Sequence, residues 1–289
     1  MDAHRTTSTT SKTADAPPHG DGAYWTYFGM GHSIKLMDRP GVFRVSPAGL
    51  SLGALLVRCL GQDDMSKRFL ELGTGSGVLA LLLRDMGATN LTATDISQPS
   101  IRLACENEML NFGNHRIHFA SGNLFDALDG ARPAEPFERI VFNPPGWRAP
   151  SALLVSQLAS MNGRHSLDLS AMFGGDSVVL RFLLEMPKYL APGGRAIIGL
   201  NSMMGIQDVL ARYRASVPGE CPLRFRLLER HCFPLLFYSD AWQAARPWLM
   251  AEFQSWKDEC KSAFSQDGDG TIHWSYEIVE CTMAGNPRE

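Results

Sequence analysis

Residues 69–78 read Phe69-Leu-Glu-Leu-Gly-Thr-Gly-Ser-Gly-Val78, and this stretch decides the fold. Its first half is an apolar strand pattern, and its second half brings Gly73, Gly75 and Gly77 to the start of a helical segment. Glycines in such a turn allow the backbone to bend tightly and a ligand to approach it closely. The N–H groups at the start of the helix can bind an acidic group. The stretch therefore predicts a ligand-binding turn between a buried strand and a helix.

The next predicted strand, Asn90–Asp95, supplies an acidic partner for this turn. Asp95 lies 18 residues beyond Gly77, where a carboxylate can accept hydrogen bonds from both hydroxyls of a ribose. The nicotinamide-binding pattern G-x-G-x-x-G is not met, because position 78 is valine. The turn and the carboxylate together predict a ligand that contains a ribose.

Strand and helix patterns alternate along most of the chain. The other predicted strands are Arg116–Ala120, Phe137–Phe142, Arg195–Leu200, Leu223–Arg230 and Thr271–Met283. The predicted helices are Val78–Met86, Ser100–Asn111, Asp176–Leu190 and Ile206–Ala215. Such alternation gives a parallel sheet with right-handed crossovers. The predicted fold class is therefore α/β, with a doubly wound, mostly parallel sheet.

The N-terminal region is expected to contain a disordered tail and an aromatic segment. Residues 1–20 are polar and predicted to be disordered, which leaves residues 21–289 as a single domain. Four aromatic residues fall within five positions, namely Tyr24, Trp25, Tyr27 and Phe28. They predict either a short helix packed on the core or an aromatic lid, residues 21–45, over a ligand. A short strand is expected at Gly41–Val45, followed by a helix that Ser46 caps.

A long helix, residues 241–264, is predicted as an insertion near the C-terminus. Its large apolar side chains recur near helical spacing, namely Trp242, Trp248, Leu249, Phe253 and Trp256. This stripe predicts either core packing or the face of a homodimer.

Composition and charge narrow the possible functions. The 289 residues carry 27 Lys and Arg against 30 Asp and Glu, a net charge of −3, which weighs against a dedicated nucleic-acid binder. The six cysteines form no Cys-x-x-Cys pair, so neither a metal site nor a disulfide framework is predicted. The sequence shows no signal-peptide core and no apolar run long enough for a membrane span. We therefore expect a cytoplasmic protein.

A second motif, Ile140-Val-Phe-Asn-Pro-Pro-Gly-Trp147, ends the fourth predicted strand. In a doubly wound sheet, ligands bind outside the carboxyl ends of the strands. The two prolines fix the backbone there and leave carbonyl groups free to accept hydrogen bonds. The side chain of Asn143 and a proline carbonyl could together accept both protons of an –NH2 group, which would direct the nitrogen lone pair at a methyl group.

From Phe69 to Leu200 the chain resembles the class I S-adenosylmethionine (SAM) dependent methyltransferases, which share a Rossmann-like sheet of seven strands. The Asn-Pro-Pro motif is similar to that of the amino-methylating branch, which includes release-factor glutamine N5-methyltransferases and guanine-N2 ribosomal RNA methyltransferases. The segments Gly174–Asp176, Leu190–Gly194 and Pro40–Phe43 also resemble these enzymes. The resemblance implies an enzyme whose cofactor is S-adenosyl-L-methionine.

The resemblance also implies roles for individual residues. Glu71 and the first glycines face the methionine half of SAM, Asp95 binds the ribose, and Asn123 accepts from the adenine amine. The implied cofactor contacts are completed by Gly73, Thr74, Gly75, Gly77, Ile96, Leu124, Asn143 and Pro144. Asn143 orients the nucleophile. Aromatic faces can also stabilise the sulfonium cation, and the candidates are Tyr24, Trp25, Tyr27 and Trp147.

Two features depart from the branch. The fourth motif position is Gly146 in place of Tyr or Phe, and Trp147 follows one residue later, where it is expected to substitute by stacking. Residues 21–68 are too few for the helical recognition domain of the glutamine enzymes. We therefore expect a small-molecule or peptide acceptor rather than RNA.

Three functions stay open at this point. The first is methylation of a nitrogen on a small molecule or peptide, as in small-molecule biosynthesis, with Asn143 orienting that nitrogen. The second is a cyclisation in which the α-amine of SAM attacks its own γ-carbon, as in some proteins that resemble these methyltransferases. It gives azetidine-2-carboxylate and methylthioadenosine from SAM alone, under the aromatic lid. The third is a non-catalytic SAM-binding scaffold.

Overall fold

The computed structural model describes residues 22–39, 41–128, 135–161, 172–237 and 240–285, so the predicted tail, residues 1–20, lies outside the described residues. The strands are β1 (Ala23–Gly29), β2 (His32–Met37), β3 (Arg68–Leu72), β4 (Asn90–Asp95), β5 (His118–Ser121), β6 (Phe137–Phe142), β7 (Leu190–Asn201), β8 (Leu223–Pro234), β9 (Phe264–Gln266) and β10 (Ile272–Met283). The helices are α1 (Pro47–Cys59), α2 (Val78–Asp85), α3 (Gln98–Phe112), α4 (Ala152–Ala159), α5 (Gly175–Glu185), α6 (Ile206–Ser216) and α7 (Asp240–Asp258).

The central sheet is mostly parallel, with the strand order β5–β4–β3–β6–β7–β10–β8. Strands β3 to β7 run parallel to their neighbours in this order, whereas β10 is antiparallel to both β7 and β8. The short β9 pairs with β10, which adds an eighth strand to the seven that the resemblance implies. The predicted α/β, doubly wound class is confirmed. The chain leaves β3 towards β5 and returns to β6, so the strand order reverses beside β3, where such sheets bind ligands.

Two apolar layers cover the two faces of this sheet. Successive strand residues point to opposite faces, so that Phe69 packs with α1, α2 and the β1–β2 hairpin, while Leu70 packs with α5 and α6. A third cluster surrounds α7, where Trp242, Leu249, Phe253 and Trp256 are buried. The aromatic stripe of α7 is therefore core rather than an exposed dimer face. The helix itself ends at Asp258, earlier than predicted, and Phe264 belongs to β9 instead.

The aromatic segment near the N-terminus is a β-hairpin, and the predicted short helix is wrong. β1 pairs antiparallel with β2, from Ala23 opposite Met37 to Gly29 opposite His32. Buried and exposed residues alternate along β1, and aromatic side chains favour strands. Phe28 points inwards over Gly53, where a β-carbon would overlap its ring.

The segment that leads from the hairpin to α1 is irregular. The strand predicted at Gly41–Val45 does not form. The predicted cap of α1 is confirmed, since the Ser46 hydroxyl accepts from the backbone N–H of Gly49 at 3.1 Å. Among the described residues, no helix combines the length and the apolar character that crossing a membrane requires.

Candidate functional site

The glycine turn joins β3 to α2 and has the backbone that its sequence predicts. Gly73, Gly75 and Gly77 have φ angles of 65°, 56° and 84°, a region that strains side-chain-bearing residues. A β-carbon at Gly77 would lie 2.9 Å from Cβ of Ala104 on α3. The backbone N–H of Thr74 donates to the carbonyl of Thr94 at 2.9 Å, which fastens the turn to β4. This turn of backbone, which we call the cradle, lies at the carboxyl edge of the sheet.

Glu71 is buried beneath this cradle, with 2% of its surface exposed. Its carboxyl oxygen Oε2 accepts from the Thr74 hydroxyl at 2.6 Å and from the backbone N–H of Ala80 at 2.9 Å. Ala80 lies in the first turn of α2, so Glu71 caps this helix from the end of β3. Burial raises the pKa of Glu71 to about 8. The contacts assign Glu71 a part in holding the turn, and its contact with the methionine half of SAM stays a prediction.

Asp95 ends β4 beside the cradle. Its Oδ2 accepts from the backbone N–H of Gly75 at 2.8 Å, and its Oδ1 accepts from the N–H of Ser97 at 2.8 Å. Burial raises the pKa of this carboxyl group above its ordinary value. The next residue, Ile96, is 70% exposed and offers an apolar surface at the same edge. The structure thus places Asp95, predicted for the ribose, and Ile96, predicted as a further cofactor contact, side by side at this edge of the sheet.

Asn123 and Leu124 lie at the end of the neighbouring strand β5. Asp95 pairs with Ser121, and the N–H of Gly122 donates to the carbonyl of Asp95 at 2.9 Å. Leu124 has a φ of 53°, which is uncommon for a residue with a side chain. The side chain of Leu124 is buried, whereas Asn123 is exposed. Asn123, predicted for the adenine amine, and Leu124, predicted as a cofactor contact, therefore lie near Asp95, and the roles of all three residues stay predictions.

Asn143 follows β6, at the same edge and directly next to β3. Its carboxamide oxygen accepts from the hydroxyl of Tyr276 at 2.8 Å. Its nitrogen Nδ2 faces the start of α1, because a β-carbon at Gly49 would lie 3.6 Å from it. The structure therefore places the predicted nucleophile-orienting side chain between β3, α1 and the last strand, beside the cradle.

The Asn-Pro-Pro loop is held by the start of α5. A β-carbon at Gly175 would overlap the carbonyl of Pro145, and the N–H of Gly175 donates to the carbonyl of Trp147 at 2.7 Å. Asp176 accepts from the N–H of Ala149 at 2.9 Å. The Gly174–Asp176 segment that resembles the amino-methylating enzymes thus packs on the motif loop. The predicted contact of Pro144 with SAM stays a prediction.

The fourth motif position is glycine for a steric reason. A β-carbon at Gly146 would lie 2.5 Å from Nδ2 of Asn201, the buried residue that ends β7. An aromatic side chain there, as in the amino-methylating branch, would have to displace the Asn201 side chain, whose Oδ1 accepts from the N–H of Met203 at 2.9 Å.

Trp147 does not replace that aromatic residue, and the prediction that it stacks on the substrate or sulfonium is wrong. Its side chain is 1% exposed. It makes edge contacts with Phe173, Trp242 and Phe253, at ring-centroid distances of 5.2, 5.3 and 4.9 Å. Trp242 and Phe253 belong to the apolar stripe of α7. Trp147 is therefore part of the core and is not exposed in the site.

Tyr27 lies outside the site, and its predicted catalytic role is wrong. It pairs with Ser33 near the tip of the hairpin, where His32 contacts Asp85 at the last residue of α2. The cradle lies at the other end of α2, roughly 12 Å away for a helix of eight residues. Tyr27 is also 65% exposed.

Tyr24 lies at the opposite end of the hairpin from Tyr27. It is half-buried, and its hydroxyl accepts from the N–H of Val45 at 3.3 Å. The guanidinium of Arg44 lies 4.8 Å from the centre of its ring. Val45 and Ser46 lead into the part of α1 that faces Asn143. Tyr24 therefore stays a candidate for the site.

Two residues that contribute to the site, Asn107 and Tyr276, were not predicted from the sequence. Asn107 on α3 is buried and joins the hairpin to the cradle: its Oδ1 accepts from the N–H of Met37 at 2.8 Å, and its Nδ2 donates to the carbonyl of Ser76 at 2.9 Å. Asn107 could have been predicted because it is an asparagine on the inward face of a predicted helix. Tyr276 lies in the strand predicted at Thr271–Met283, but which residue it contacts depends on the strand order, which the sequence does not give.

Residues 33–149 match the family described as Methyltransferase small domain. The chain carries a methyltransferase small domain. A Methanocaldococcus jannaschii protein, named as a candidate protein N5-glutamine methyltransferase, is 28% identical over 181 residues, which are 63% of this chain and 83% of that protein. The release factor glutamine methyltransferase of Xylella fastidiosa is 31% identical over 176 residues, 54% of this chain and 60% of the relative. The chain thus spans less than two thirds of the Xylella enzyme.

Among solved structures, a 16S rRNA N2-guanine methyltransferase of T. thermophilus, in complex with AdoMet and guanosine, has a TM-score of 0.50 at 19% identity. The match covers 89% of this chain and 49% of that chain, and it shows a shared fold. These comparisons confirm the resemblance to the Asn-Pro-Pro branch and the SAM cofactor of the methyltransferase domain. They also show an enzyme, which sets aside the scaffold alternative.

The residues of the methyltransferase domain fit SAM chemically. The cradle has three glycines with left-handed φ angles, of which Gly75 has open space where a β-carbon would lie. Asp95, the carboxylate predicted for the ribose, accepts from the N–H of Gly75. An exposed isoleucine continues this surface towards the end of β5. Within the described part of the chain, no group of three His, Cys, Asp or Glu side chains could hold a metal ion.

Proposed function

We propose that this enzyme transfers the methyl group of SAM to a nitrogen atom of a small molecule or a peptide, and that Asn143 orients that nitrogen. The observation that supports the proposal is the position of the Asn143 carboxamide. It lies beside the cradle, and its only hydrogen-bond partner among the described residues is the hydroxyl of Tyr276. One lone pair of Oδ1 and both N–H groups of Nδ2 are thus free for an acceptor.

In this reaction the main task of the protein is to position the cofactor and the acceptor. When bound, SAM supplies a methyl group on a sulfonium cation. Asn143 can accept an N–H of the acceptor, which fixes the nitrogen and directs its lone pair across the cradle. A neutral amine nitrogen held in this way attacks the methyl carbon in line as the S–CH3 bond breaks, and the methylated nitrogen passes its surplus proton to water. No strong base is required, so alignment of the nitrogen and exclusion of competing water determine the rate.

The acceptor class is proposed from the charge of the chain and from the acceptors for which its relatives are named. The relatives are named for protein glutamine and, by fold likeness, for ribosomal RNA. The net charge of −3 supports a peptide or small molecule over RNA. We further propose that residues 21–289 act as one catalytic domain, with the hairpin joined to the cradle through Asn107.

The cyclisation alternative loses one of the two features that suited it, while the changed motif at Gly146 is kept. That reaction was expected to use an aromatic lid, but Trp25 and Tyr27 are exposed on the outer face of the hairpin. No contact in the described residues favours it over methyl transfer to a separate acceptor.

Mass spectrometry of one set of incubations tests the proposal. The protein is incubated with SAM alone, then with a glutamine-containing peptide, with small primary amines and amides, and with a guanine-containing RNA. We expect S-adenosylhomocysteine and an N-methylated product only when a peptide or small molecule is present. Methylation of the RNA alone would contradict the acceptor class, and methylthioadenosine from SAM alone, above the spontaneous rate, would contradict methyl transfer.

A further inference from the structure

The last strand places a buried hydroxyl against the residue on which the proposed function depends. Tyr276 on β10 is 2% exposed, and its oxygen lies 2.8 Å from Oδ1 of Asn143. The two residues are 133 positions apart in sequence. Between their strands lies β7, so the tyrosine has to reach across a complete strand to make this contact.

Gly199 makes this reach possible. It lies on β7, where a β-carbon would overlap the hydroxyl of Tyr276. The ring of Tyr276 is also packed from the side, since Trp274 lies 6.4 Å away in an edge contact and Ile278 is buried in the same cluster. The packing around the ring and the lack of a side chain at Gly199 therefore fix the position of the Tyr276 hydroxyl.

The hydroxyl acts as a donor at this point. Burial raises the pKa of Tyr276 far above its ordinary value, so the group keeps its proton. A buried O–H proton needs an acceptor, and the one it has among the described residues is Oδ1 of Asn143. If the carboxamide rotated to exchange its oxygen and nitrogen, this proton would lose its acceptor. One of the two amide orientations is thus favoured.

We propose that Tyr276 is a positioning residue of the methyl transfer: it holds the Asn143 carboxamide with Oδ1 towards β10 and Nδ2 towards α1. The inference rests on the proposed function of Asn143. In this orientation the second lone pair of Oδ1 is presented to the acceptor N–H in a fixed direction. A freely rotating carboxamide would present its oxygen only part of the time.

The test compares Tyr276→Phe with Tyr213→Phe. Tyr213 is a matched control, because it is equally buried but packs between α6 and the opposite face of the sheet. The first readout is the pair of side-chain amide signals of Asn143 in ¹H–¹⁵N spectra, identified by their loss in Asn143→Ala. The second is kcat on the acceptor found above, measured beside the Kd for SAM.

We expect Tyr276→Phe to shift and broaden the Asn143 signals, to lower kcat about tenfold and to leave the Kd for SAM within twofold. Tyr213→Phe should leave both readouts unchanged. Unmoved Asn143 signals in Tyr276→Phe would overturn the inference, and so would an equal loss of kcat in both variants. If the wild-type protein methylates no acceptor, the proposed function fails, while the spectra still decide whether Tyr276 orients Asn143.

A crystal structure of the wild-type protein with S-adenosylhomocysteine gives a check that does not depend on any variant folding. We expect the Tyr276 oxygen within about 3.2 Å of Oδ1 of Asn143. A separation beyond roughly 4 Å, with cofactor bound, would overturn the positioning role.

Discussion

The buried carboxyl group of Glu71 is expected to make the stability of the folded chain depend on pH. Its pKa in the folded chain is about 8, against 4.5 for an exposed glutamate, and burial is the main cause. Because the folded state binds this proton more tightly than the unfolded state, the resulting stability is fully present below pH 4.5. It is lost as the pH rises through about 8. A gap of about 3.5 units corresponds to roughly 5 kcal/mol, at about 1.4 kcal/mol per unit.

Replacing Glu71 by glutamine isolates this contribution. Glutamine keeps the shape and an oxygen that can accept from Thr74 and Ala80, but it has no proton to lose. We expect the free energy of unfolding of wild type, relative to Glu71→Gln, to fall by several kcal/mol between pH 5 and pH 9.

Urea unfolding followed by tryptophan fluorescence, at several pH values and constant ionic strength, measures this difference. Other titrating groups contribute equally to both proteins and cancel in the comparison. If the free energies of unfolding of wild type and Glu71→Gln, plotted against pH, stay parallel from pH 5 to pH 9, the reasoning is refuted. A wild type that gains stability over the variant as the pH rises would show that the hydrogen bonds, rather than burial, control Glu71.

Three further predictions concern residues whose positions the structure defines. Asp95→Ala should weaken SAM binding by about 10- to 100-fold, because a charged hydrogen bond contributes about 1.5–3 kcal/mol; calorimetry that shows an unchanged Kd would contradict the ribose assignment. Trp147→Ala should lower the free energy of unfolding by about 3–5 kcal/mol in urea titrations, because the ring fills the core; a stability equal to wild type would contradict its burial. Tyr27→Ala should leave kcat and the Kd for SAM within twofold, and a tenfold loss of kcat would return Tyr27 to the site.

The parts of the fold that local sequence determines were predictable. The glycine turn, the strand before it and the helix after it depend on neighbouring residues, so Gly73, Gly75 and Gly77 could be placed directly. Asp95 and Asn143 could be placed because parallel strands bring their carboxyl ends to one edge.

The features that depend on distant partners were not predictable. The contact between Tyr276 and Asn143 requires the antiparallel last strand to lie next to β7, and a single sequence does not state that order. The burial of Trp147 requires α7 to pack over the motif loop. Both the hairpin and a helix were compatible with an aromatic run at residues 24–28, and packing on α1 decided between them.

We propose that Asn143 acts on the acceptor of the methyl group rather than on the binding of SAM. The most direct measurement is kcat together with the Kd for SAM, in Asn143→Ala and in wild type, with the acceptor identified by mass spectrometry. We predict a loss of kcat of about 100-fold or more, equivalent to at least ~2.7 kcal/mol, with the Kd for SAM changed by less than threefold. Equal losses in kcat and in SAM affinity would contradict the account.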